Sequence, residues 1–397
     1  MSLLHHDARR EALAFASHFR DDFYACLTAR GDALFEITDA ILCENGPVMA
    51  PVDLTLLAEH RRGHGAMYDA LNCGNVDVSQ LRQMLAGLPM PQAADGRLVL
   101  ALDIRHWLRP DAPTSADRLF CHVYGRSGRS SDQFVPGWPY SFVAALESGR
   151  TSWCRLLDAV RLGPADGVAQ VTAAQVRQVV EDLIEMGRWH IGDRDILIVF
   201  DAGYDAPRMA HLLHGLPVDV LGRMRTDRVM RKQVPGPWTS PPQGGRPPKH
   251  GKEFRFAKPE TWGEPDATTT LGTDRYGTAR AMAWDRIHSW LTTRSAWIDH
   301  SGELPIIEGT LIRLPGRPPA RRQRPATRVV VVVRDRPDRR GRRHALAGVP
   351  AQIRPGTYLP DDQADTRLDA PQAPYTRGRR PLDMARDRRP HPAPSHP

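Results

Sequence analysis

Apolar and polar positions recur with different periods along the chain, and these periods divide its first part into helices and strands. Residues 11–90 repeat apolar side chains at intervals of three and four, as in "REALAFASHFRDDFYACL", which predicts an N-terminal helical region over residues 1–92. The stretches "DLTLLAEH", "GAMYDALNCG" and "DVSQLRQMLAGL" predict short helices within it. Asp77 precedes the last of them and is an expected helix cap.

A mixed pattern of strands and helices follows over residues 93–314. The run "DGRLVLALDIRHW" predicts a buried strand that ends at Asp103, and "RLFCHVYGR" and "DQFVPGWPYSFVAAL" predict two more strands. An amphipathic helix is expected over residues 173–187, and then a second buried strand, in "GDRDILIVFDAGYD", that ends at Asp201. A helix in "PRMAHLLHGL", a strand in "VDVLGRMR", a helix in "RIHSWL" and a strand in "GELPIIEGTLIRL" complete the pattern. This order predicts a mixed α/β domain.

Two segments lack such a period. Residues 232–275 are rich in Pro, Gly and Lys, which indicates an irregular insertion. Residues 315–397 contain 15 Pro and no Phe, Trp or Asn, and only "RVVVVVR" interrupts their irregular pattern. This composition is typical of a disordered tail, since it offers little apolar surface to bury.

The positive charge of the chain is concentrated in that tail. Residues 315–397 carry 19 Arg and 8 Asp with no Lys or Glu, which gives +11. Because the whole chain is +8, residues 1–314 sum to −3. The basic pI is therefore no evidence that the α/β domain binds nucleic acid.

Cysteine usage and hydropathy exclude several classes of protein. The five cysteines lie far apart without a CxxC pair, which argues against a zinc knuckle or a disulfide framework and favours a reducing compartment. No apolar run approaches the roughly 20 residues that a membrane span needs, and the N-terminus lacks the apolar core of a secretory signal. We therefore expect a soluble cytoplasmic protein with no membrane partner.

Two aspartates, Asp103 and Asp201, each close an apolar strand. Ligands bind at the carboxyl ends of strands in α/β sheets, and paired carboxylates offer the hard oxygen ligands that Mg²⁺ prefers. A pair of Mg²⁺ ions can activate a hydroxyl and stabilise the leaving oxygen of a phosphodiester. The alternative is that each aspartate only caps the turn that follows it.

Arginines and aromatic residues near these strands have less specific interpretations. In "GRMRTDRVMR", Arg223, Arg225 and Arg228 follow the second aspartate strand closely and are candidate contacts to DNA phosphates. Alternate residues of a strand share a face, so Arg223 and Arg225 are expected to point together. Trp138 and Tyr140 are expected to pack in the core.

Five stretches of the chain together resemble the DDE transposases of bacterial insertion sequences, in particular the group named for insertion sequence 701. They are "LALDIRHWLRPDAPTS", "PGWPYSFVAALESGRTSW", "ILIVFDAGYD", "VLGRMRTDRVMR" and "LPIIEGTLIRL". The resemblance covers about residues 30–314. It implies an RNase H-like catalytic core in which Asp103 and Asp201 match the first two metal-binding carboxylates. It also implies two Mg²⁺ ions, DNA partners (the terminal repeats of the element and target DNA) and a homo-oligomer in an intact member.

The third carboxylate of that family is a Glu on a later helix, in a motif close to Asp-Leu-Glu-His-Thr-Phe-Arg, and no such stretch exists in this chain. Glu308 lies in a strand-like segment that precedes the catalytic Glu in the family, which favours a structural role. Glu264 lies in a Pro-flanked loop and is a weaker candidate.

The tail explains the missing motif. Back-translation of "QIRPGTYLPDDQADTRLD", Gln352 to Asp369, yields Arg-Phe-Asp-Leu-Glu-His-Thr-Phe-Arg when it starts one base later, and the Glu codon then straddles Gly356 and Thr357. The same shift turns "VVVVVRDRP" into a Val-Trp-Trp-Trp-Ser-Ser-Ala-Thr-Gly-like run. We therefore interpret residues 315–397 as an out-of-frame product of one inserted base near Leu314.

These observations predict a transposase that cleaves and joins DNA by Mg²⁺-dependent phosphoryl transfer and that is inactive in this chain, since its last carboxylate is lost. The alternative is a non-catalytic DNA-binding remnant that occupies element ends or inhibits transposition. A phosphatase with an aspartyl nucleophile would need an aspartate two residues after the first, where Arg105 stands.

Overall fold

A computed structural model describes residues 3–46, 48, 50–123, 133–147, 154–225, 227–234, 236–239, 241–273, 277–314 and 328–334. Their secondary structure falls into an N-terminal helical part and a large mixed sheet with helices.

The N-terminal part is helical, as its apolar period predicts. Four helices and one two-stranded antiparallel sheet form it, with a 3-10 helix at Pro51–Leu56. Their bounds are α1 Leu3–Ala25, β1 Leu27–Ala29, α2 Gly31–Cys43, α3 His64–Cys73, β2 Asn75–Val76 and α4 Val78–Gly87. Buried side chains of α2 and α3, such as Ile37 and Met67, make a small core with Leu54. The Asp77 carboxylate accepts a hydrogen bond from Gln80 N at 3.0 Å, which confirms the expected cap of α4.

The middle of the chain supplies the predicted strands and two helices in the predicted order, together with one strand, Cys154–Arg161, that the pattern did not predict. Their bounds are β3 Val99–Leu108, β4 Leu119–Val123, β5 Gln133–Leu146, β6 Cys154–Arg161, α5 Val168–Glu185, β7 Ile196–Phe200, α6 Ala206–Leu212 and β8 Val218–Met224. The remaining strands are β9 Val229–Arg231, β10 Glu253–Arg255, β11 Ala267–Thr273, β12 Gly277–Ser289, β13 Glu308–Leu314 and β14 Arg328–Arg334, with 3-10 helices at Pro259–Thr261 and Ser295–Trp297.

Strands β3 to β14 form one 12-stranded sheet. Its order is β10-β9-β12-β13-β14-β8-β7-β3-β5-β4, with β11 beside β12 and β6 beside β5. Strands β3, β7 and β8 run parallel to one another, and the other neighbouring strands of the described sheet pair antiparallel. A strand with a parallel neighbour on each side is usually covered on both faces. Strand β7 lies between β3 and β8 in this way, and all five of its residues are buried.

The two faces of β7 pack against different groups of side chains. Ile196, Ile198 and Phe200 join the main core, to which α5 and α6 contribute their apolar sides. Leu197 and Val199 point to the opposite face, where they meet a second cluster with residues of β12 and β13. The acidic residues described below lie on this second face.

Strand β3 is longer than its hydrophobic pattern predicts. The expected end at Asp103 was wrong, because residues 104–108 stay paired with β5 as far as Leu108, opposite Gly137. Arg105, His106 and Trp107 are exposed, so the buried apolar signal stops at Asp103 while the backbone hydrogen bonds continue.

The helix expected in "RIHSWL" was also wrong, since Arg286–Ser289 complete β12. The register of β12 against β13 shifts between Trp284 and Ile287, and Arg286 has a positive φ of 56°. This bulge places two buried side chains three residues apart, which imitates the spacing of a helix.

The insertion over residues 232–275 is less irregular than its composition indicates. It contains β10 and β11, and β11 pairs with β12 along its whole length, from Ala267 opposite Ala283 to Thr273 opposite Gly277. The threonines of "ATTTLGT" are β-branched and suit a strand.

The predicted disordered tail differs from expectation at β14. Six residues of β14 pair with β13 and six pair with β8, both antiparallel, so this valine-rich segment lies inside the sheet. Consecutive β-branched residues favour extended backbone. The rest of residues 315–397 lies outside the described residues.

Within the described ranges, no helix has the length and apolar character that a membrane crossing requires.

Candidate active site

The two aspartates singled out from the sequence lie side by side on neighbouring parallel strands. Leu102 of β3 pairs with Phe200 of β7; Asp103 is the next residue of β3, and Asp201 is the first residue after β7. Since alternate residues share a face, Asp103 lies on the face of Val99 and Asp201 on the face of Val199, which is the second face of the sheet. The structure therefore brings both carboxylates to one place, as predicted, although β3 continues past it.

The pKa of Asp103 is raised mainly by burial and is further modified by two charged neighbours. Burial raises its pKa above the ordinary aspartate value, the charge of Arg105 opposes that shift, and the charge of Asp201 raises the pKa further. The side chain is 49% exposed, and Arg105 Nε lies 2.7 Å from Asp103 Oδ2. Arg105 was not predicted as the partner of Asp103, although a basic residue two positions away on the same strand is a signal for such a pair.

The loop after β7 holds the second carboxylate. Gly203 N donates a hydrogen bond of 2.8 Å to Asp201 Oδ1. A Cβ at position 203 would lie 2.9 Å from the same oxygen, so only glycine fits without displacing the carboxylate. Asp205 accepts a hydrogen bond of 2.9 Å from Arg208 N and thereby caps α6.

A buried polar cluster lies on the opposite face of the sheet from the acidic pair. Ser141 Oγ and Thr172 Oγ1 are 3.4 Å apart, and Gln175 Nε2 donates to Ser141 O at 3.1 Å. Burial raises the pKa of Tyr204, and the charges of Asp103 and Asp201 raise it further, so its hydroxyl is within electrostatic reach of both. This cluster could not be predicted from the sequence, since isolated hydroxyl residues in apolar segments have no distinctive spacing.

The predicted arginines separate into two groups. Gly222 of β8 pairs with Phe200 of β7, so Arg223 is the next residue after the paired position, just as Asp201 is. The row Asp103, Asp201, Arg223 thus crosses three adjacent strands. Arg225 and Arg228 are exposed beyond the end of β8, where Arg228 N bonds Arg225 O at 3.4 Å. A phosphate-binding role for these three arginines stays a prediction.

Neither alternative glutamate reaches the acidic pair. Glu308 is opposite His288 on β12, and its Oε2 lies 3.0 Å from Arg286 Nε. The residue of β13 aligned with the acidic row is Ile312, through Val330 and Arg223. Glu308 lies four residues before Ile312, which is about 13 Å along β13, and β13 is three strand spacings, about 14 Å, from β7. Glu264 is exposed in a loop.

Two carboxylates provide part of a divalent-cation site. Their oxygens are hard ligands, and the charge of Asp201 is one of the causes, after burial, that raise the pKa of Asp103. Over the part of the chain that the structure describes, no group of three or more His, Cys, Asp or Glu side chains is placed to hold a metal ion.

The chain is similar to a known protein family. A family model described as DDE superfamily endonuclease matches residues 22–289, about two thirds of the chain. The matched residues include Asp103, Asp201 and Arg223. No curated protein matches the chain.

Proposed function

Because the chain belongs to the DDE superfamily of endonucleases, we propose that it derives from an insertion-sequence transposase of the group named for insertion sequence 701. DNA is the substrate that this family implies. In our proposal the parent protein cleaves DNA at the ends of its element and joins the 3′-hydroxyl to target DNA as a homo-oligomer.

One observation carries this proposal: Asp103 and Asp201 follow the paired residues Leu102 and Phe200 of adjacent parallel strands. The order β6-β5-β3-β7-β8, with α5 between β6 and β7, further supports an RNase H-like core. In it, three strands precede the first helix and two parallel strands follow. The two aspartates are then equivalent to the first two carboxylates of the family.

Mg²⁺ fits the donor set, and Asp103 and Asp201 would hold it. The bound ion would polarise the scissile phosphate and lower the pKa of the attacking hydroxyl. Gly203 N fixes one oxygen of Asp201, which keeps that carboxylate oriented. Arg105 neutralises Asp103 in the structure and is free to turn to a phosphate if the carboxylate takes another partner.

We further propose that this chain does not cleave DNA. It lacks the family's Glu motif, and Glu308 is held by Arg286 far from the acidic row. Loss of one carboxylate ligand weakens one metal position, for which we expect at least about a 10³-fold loss of rate. The second candidate function, a DNA-binding remnant that blocks element ends, is favoured by the same placement of Glu308.

The test compares this chain with a version in which the frame is restored after Leu314. The restored version should nick end-containing DNA in the presence of Mg²⁺, and Asp103→Ala or Asp201→Ala in it should abolish nicking. The unrestored chain should bind that DNA without nicking it. Equal Mg²⁺-dependent nicking by both versions would show that another residue supplies the third ligand.

The gene provides an independent test. Downstream of codon 314, the frame one base later should be open and should encode the Glu motif. A stop codon in that frame before the Glu codon would refute the frameshift, while leaving the family assignment unchanged.

A further inference from the structure

An exposed group of aromatic side chains continues the face of the sheet that carries Asp103. Trp107 of β3 shares that face, because it is four residues further along the same strand. Trp107 is opposite Trp138 of β5, and Phe134 lies four residues before Trp138 on the same side. Phe120 of β4 is opposite Pro136, which lies between Phe134 and Trp138 on the same side of β5. We call Trp107, Phe120, Phe134 and Trp138 the aromatic face.

The aromatic face is unusually exposed for large apolar side chains. Trp107 is 55% exposed, Phe120 57% and Phe134 68%. The other side of β5 is different, since Gly137, Pro139 and Ser141 are buried. A contiguous group of exposed apolar side chains, unlike a single one, is a mark of an interaction or ligand-binding site. The expectation that Trp138 packs in the core was therefore wrong: it is partly exposed, with its ring centroid 5.5 Å from that of Trp107.

Arginines accompany these rings. The Arg109 guanidinium carbon lies 5.8 Å from the centroid of Trp107, and that of Arg118 lies 5.4 Å from Phe120. Arg105 lies on the same face, between Asp103 and Trp107. Arg109 pairs with Asp111 and Arg105 with Asp103, whereas Arg118 donates to the Ser115 carbonyl at 3.2 Å. Flat rings beside guanidinium groups are the chemistry that binds nucleobases and phosphates together.

We propose that the aromatic face binds unpaired bases of the DNA substrate next to the scissile phosphate. This inference rests on the proposed function, since it adds a base-stacking subsite to the same site. Four residues of strand separate Asp103 from Trp107, about 13 Å, which is the length of about four stacked nucleotides at about 3.4 Å each. A strand whose phosphate lies at the acidic pair therefore reaches the rings without bending.

DNA is a better occupant of this face than a second copy of the chain. The rings lead directly along β3 into the acidic pair, so a protein partner seated on them would obstruct the proposed site. Arginine beside each of two rings also suits a nucleotide, whose base can stack on the ring while its phosphate meets the guanidinium group. A second copy is nevertheless a distinct outcome of the test below.

The experiment measures DNA binding by the full chain and by Trp107→Ala. The probes are a labelled single strand, a duplex of the same sequence, and that duplex with an unpaired bubble that contains 2-aminopurine. Loss of one stacked base should weaken binding of the single strand and the bubble by about 5- to 150-fold. Duplex affinity and the slope of affinity against salt should change little, because no phosphate contact is lost.

Two further variants keep the test specific. Trp107→Phe retains a stacking ring and should preserve most of the affinity and the quenching of 2-aminopurine. Trp290→Ala removes a tryptophan that is equally exposed, at 55%, but lies outside the aromatic face, and should have no effect. Thermal unfolding followed by circular dichroism should show that all three variants fold like the unsubstituted chain. If Trp107→Ala does not, Phe120→Ala replaces it.

The outcomes separate this inference from the proposed function. Unchanged binding of all probes by Trp107→Ala overturns the aromatic face as a base-binding site and leaves the proposed function standing. A change in oligomeric state with unchanged DNA affinity assigns the face to a second copy of the chain and also overturns the proposal. Failure of the parent chain to bind any of the probes contradicts both.

Discussion

Replacement of Asp201 by Asn tests whether the acidic pair is a cation site that costs stability when no cation is bound. The change removes one negative charge and conserves the shape of the side chain. The amide oxygen of Asn can still accept the hydrogen bond that Gly203 N donates to Asp201 Oδ1 at 2.8 Å. The variant therefore isolates the charge from the geometry of the loop.

The expected gain follows from the spacing of the strands. Neighbouring strands lie about 4.8 Å apart, so the two carboxylates repel one another by about 1–3 kcal/mol at an effective dielectric constant between 80 and 20. Asp103 is 49% exposed and paired with Arg105, which screens the repulsion. We therefore expect Asp201→Asn to raise the free energy of unfolding by about 1 kcal/mol in EDTA.

In Mg²⁺ the unsubstituted chain should have a higher free energy of unfolding than Asp201→Asn, the reverse of the order in EDTA. A ligand at ten times its Kd stabilises the native state by about 1.4 kcal/mol, and this increment should appear in the parent chain and vanish in Asp201→Asn. Urea unfolding followed by tryptophan fluorescence, in EDTA and in MgCl₂, measures both quantities.

Asp205→Asn is the matched control. It removes the same charge four residues away, and Asn replaces Asp well as the cap of α6. It should change stability by less than about 0.5 kcal/mol and keep the Mg²⁺ increment. If Asp201→Asn lowered stability in EDTA, or kept the full Mg²⁺ increment, the acidic pair would not be the cation site.

Three further predictions concern other parts of the molecule. Arg97→Ala should lower the free energy of unfolding by about 3–5 kcal/mol in urea titrations, because Arg97 Nη2 lies 3.0 Å from Asp219 Oδ2 and both side chains are buried; a loss below about 1 kcal/mol would contradict this. Burial, aided by a neighbouring imidazole, lowers the pKa of His288 below its ordinary 6.5. The contribution that the neutral imidazole makes to the free energy of unfolding is therefore complete above pH 6.5 and is lost as the pH falls through the lowered pKa of His288. His288→Gln should flatten that part of the curve of stability against pH. Limited proteolysis should leave a fragment that ends beyond Arg334, since β14 is paired on both sides; a fragment that ends near residue 315, as composition alone predicts, would refute the pairing.

The spacing of hydrophobic residues along the chain predicted the helices and strands that are buried and regular. Helix α5 and strand β7 were expected close to their observed positions, and the adjacency of Asp103 and Asp201 followed from two buried strands that end in aspartate. These features are local, or they follow from the geometry of parallel strands.

The features that were missed depend on long-range pairing. The outer half of β3 is polar and exposed, so only its partner β5 shows that it is a strand. The bulge near Arg286 produced a helical spacing within β12. The aromatic face was invisible, because an aromatic side chain in a strand has the same sequence signal on a covered face as on an open one.

Strand β14 has a consequence for the fate of the polypeptide in the cell. It is the strand, among those described, that connects the group β9 to β13 with the group β3 to β8. Under the proposed frameshift, one DNA segment encodes a valine run in this frame and a tryptophan-rich run in the other, and both kinds of residue favour extended backbone. A frame error at this point thus preserves the continuity of the sheet and removes only what is encoded further downstream. Under the same proposal, we expect the resulting protein to keep a folded domain and therefore to resist the proteases that clear unfolded chains.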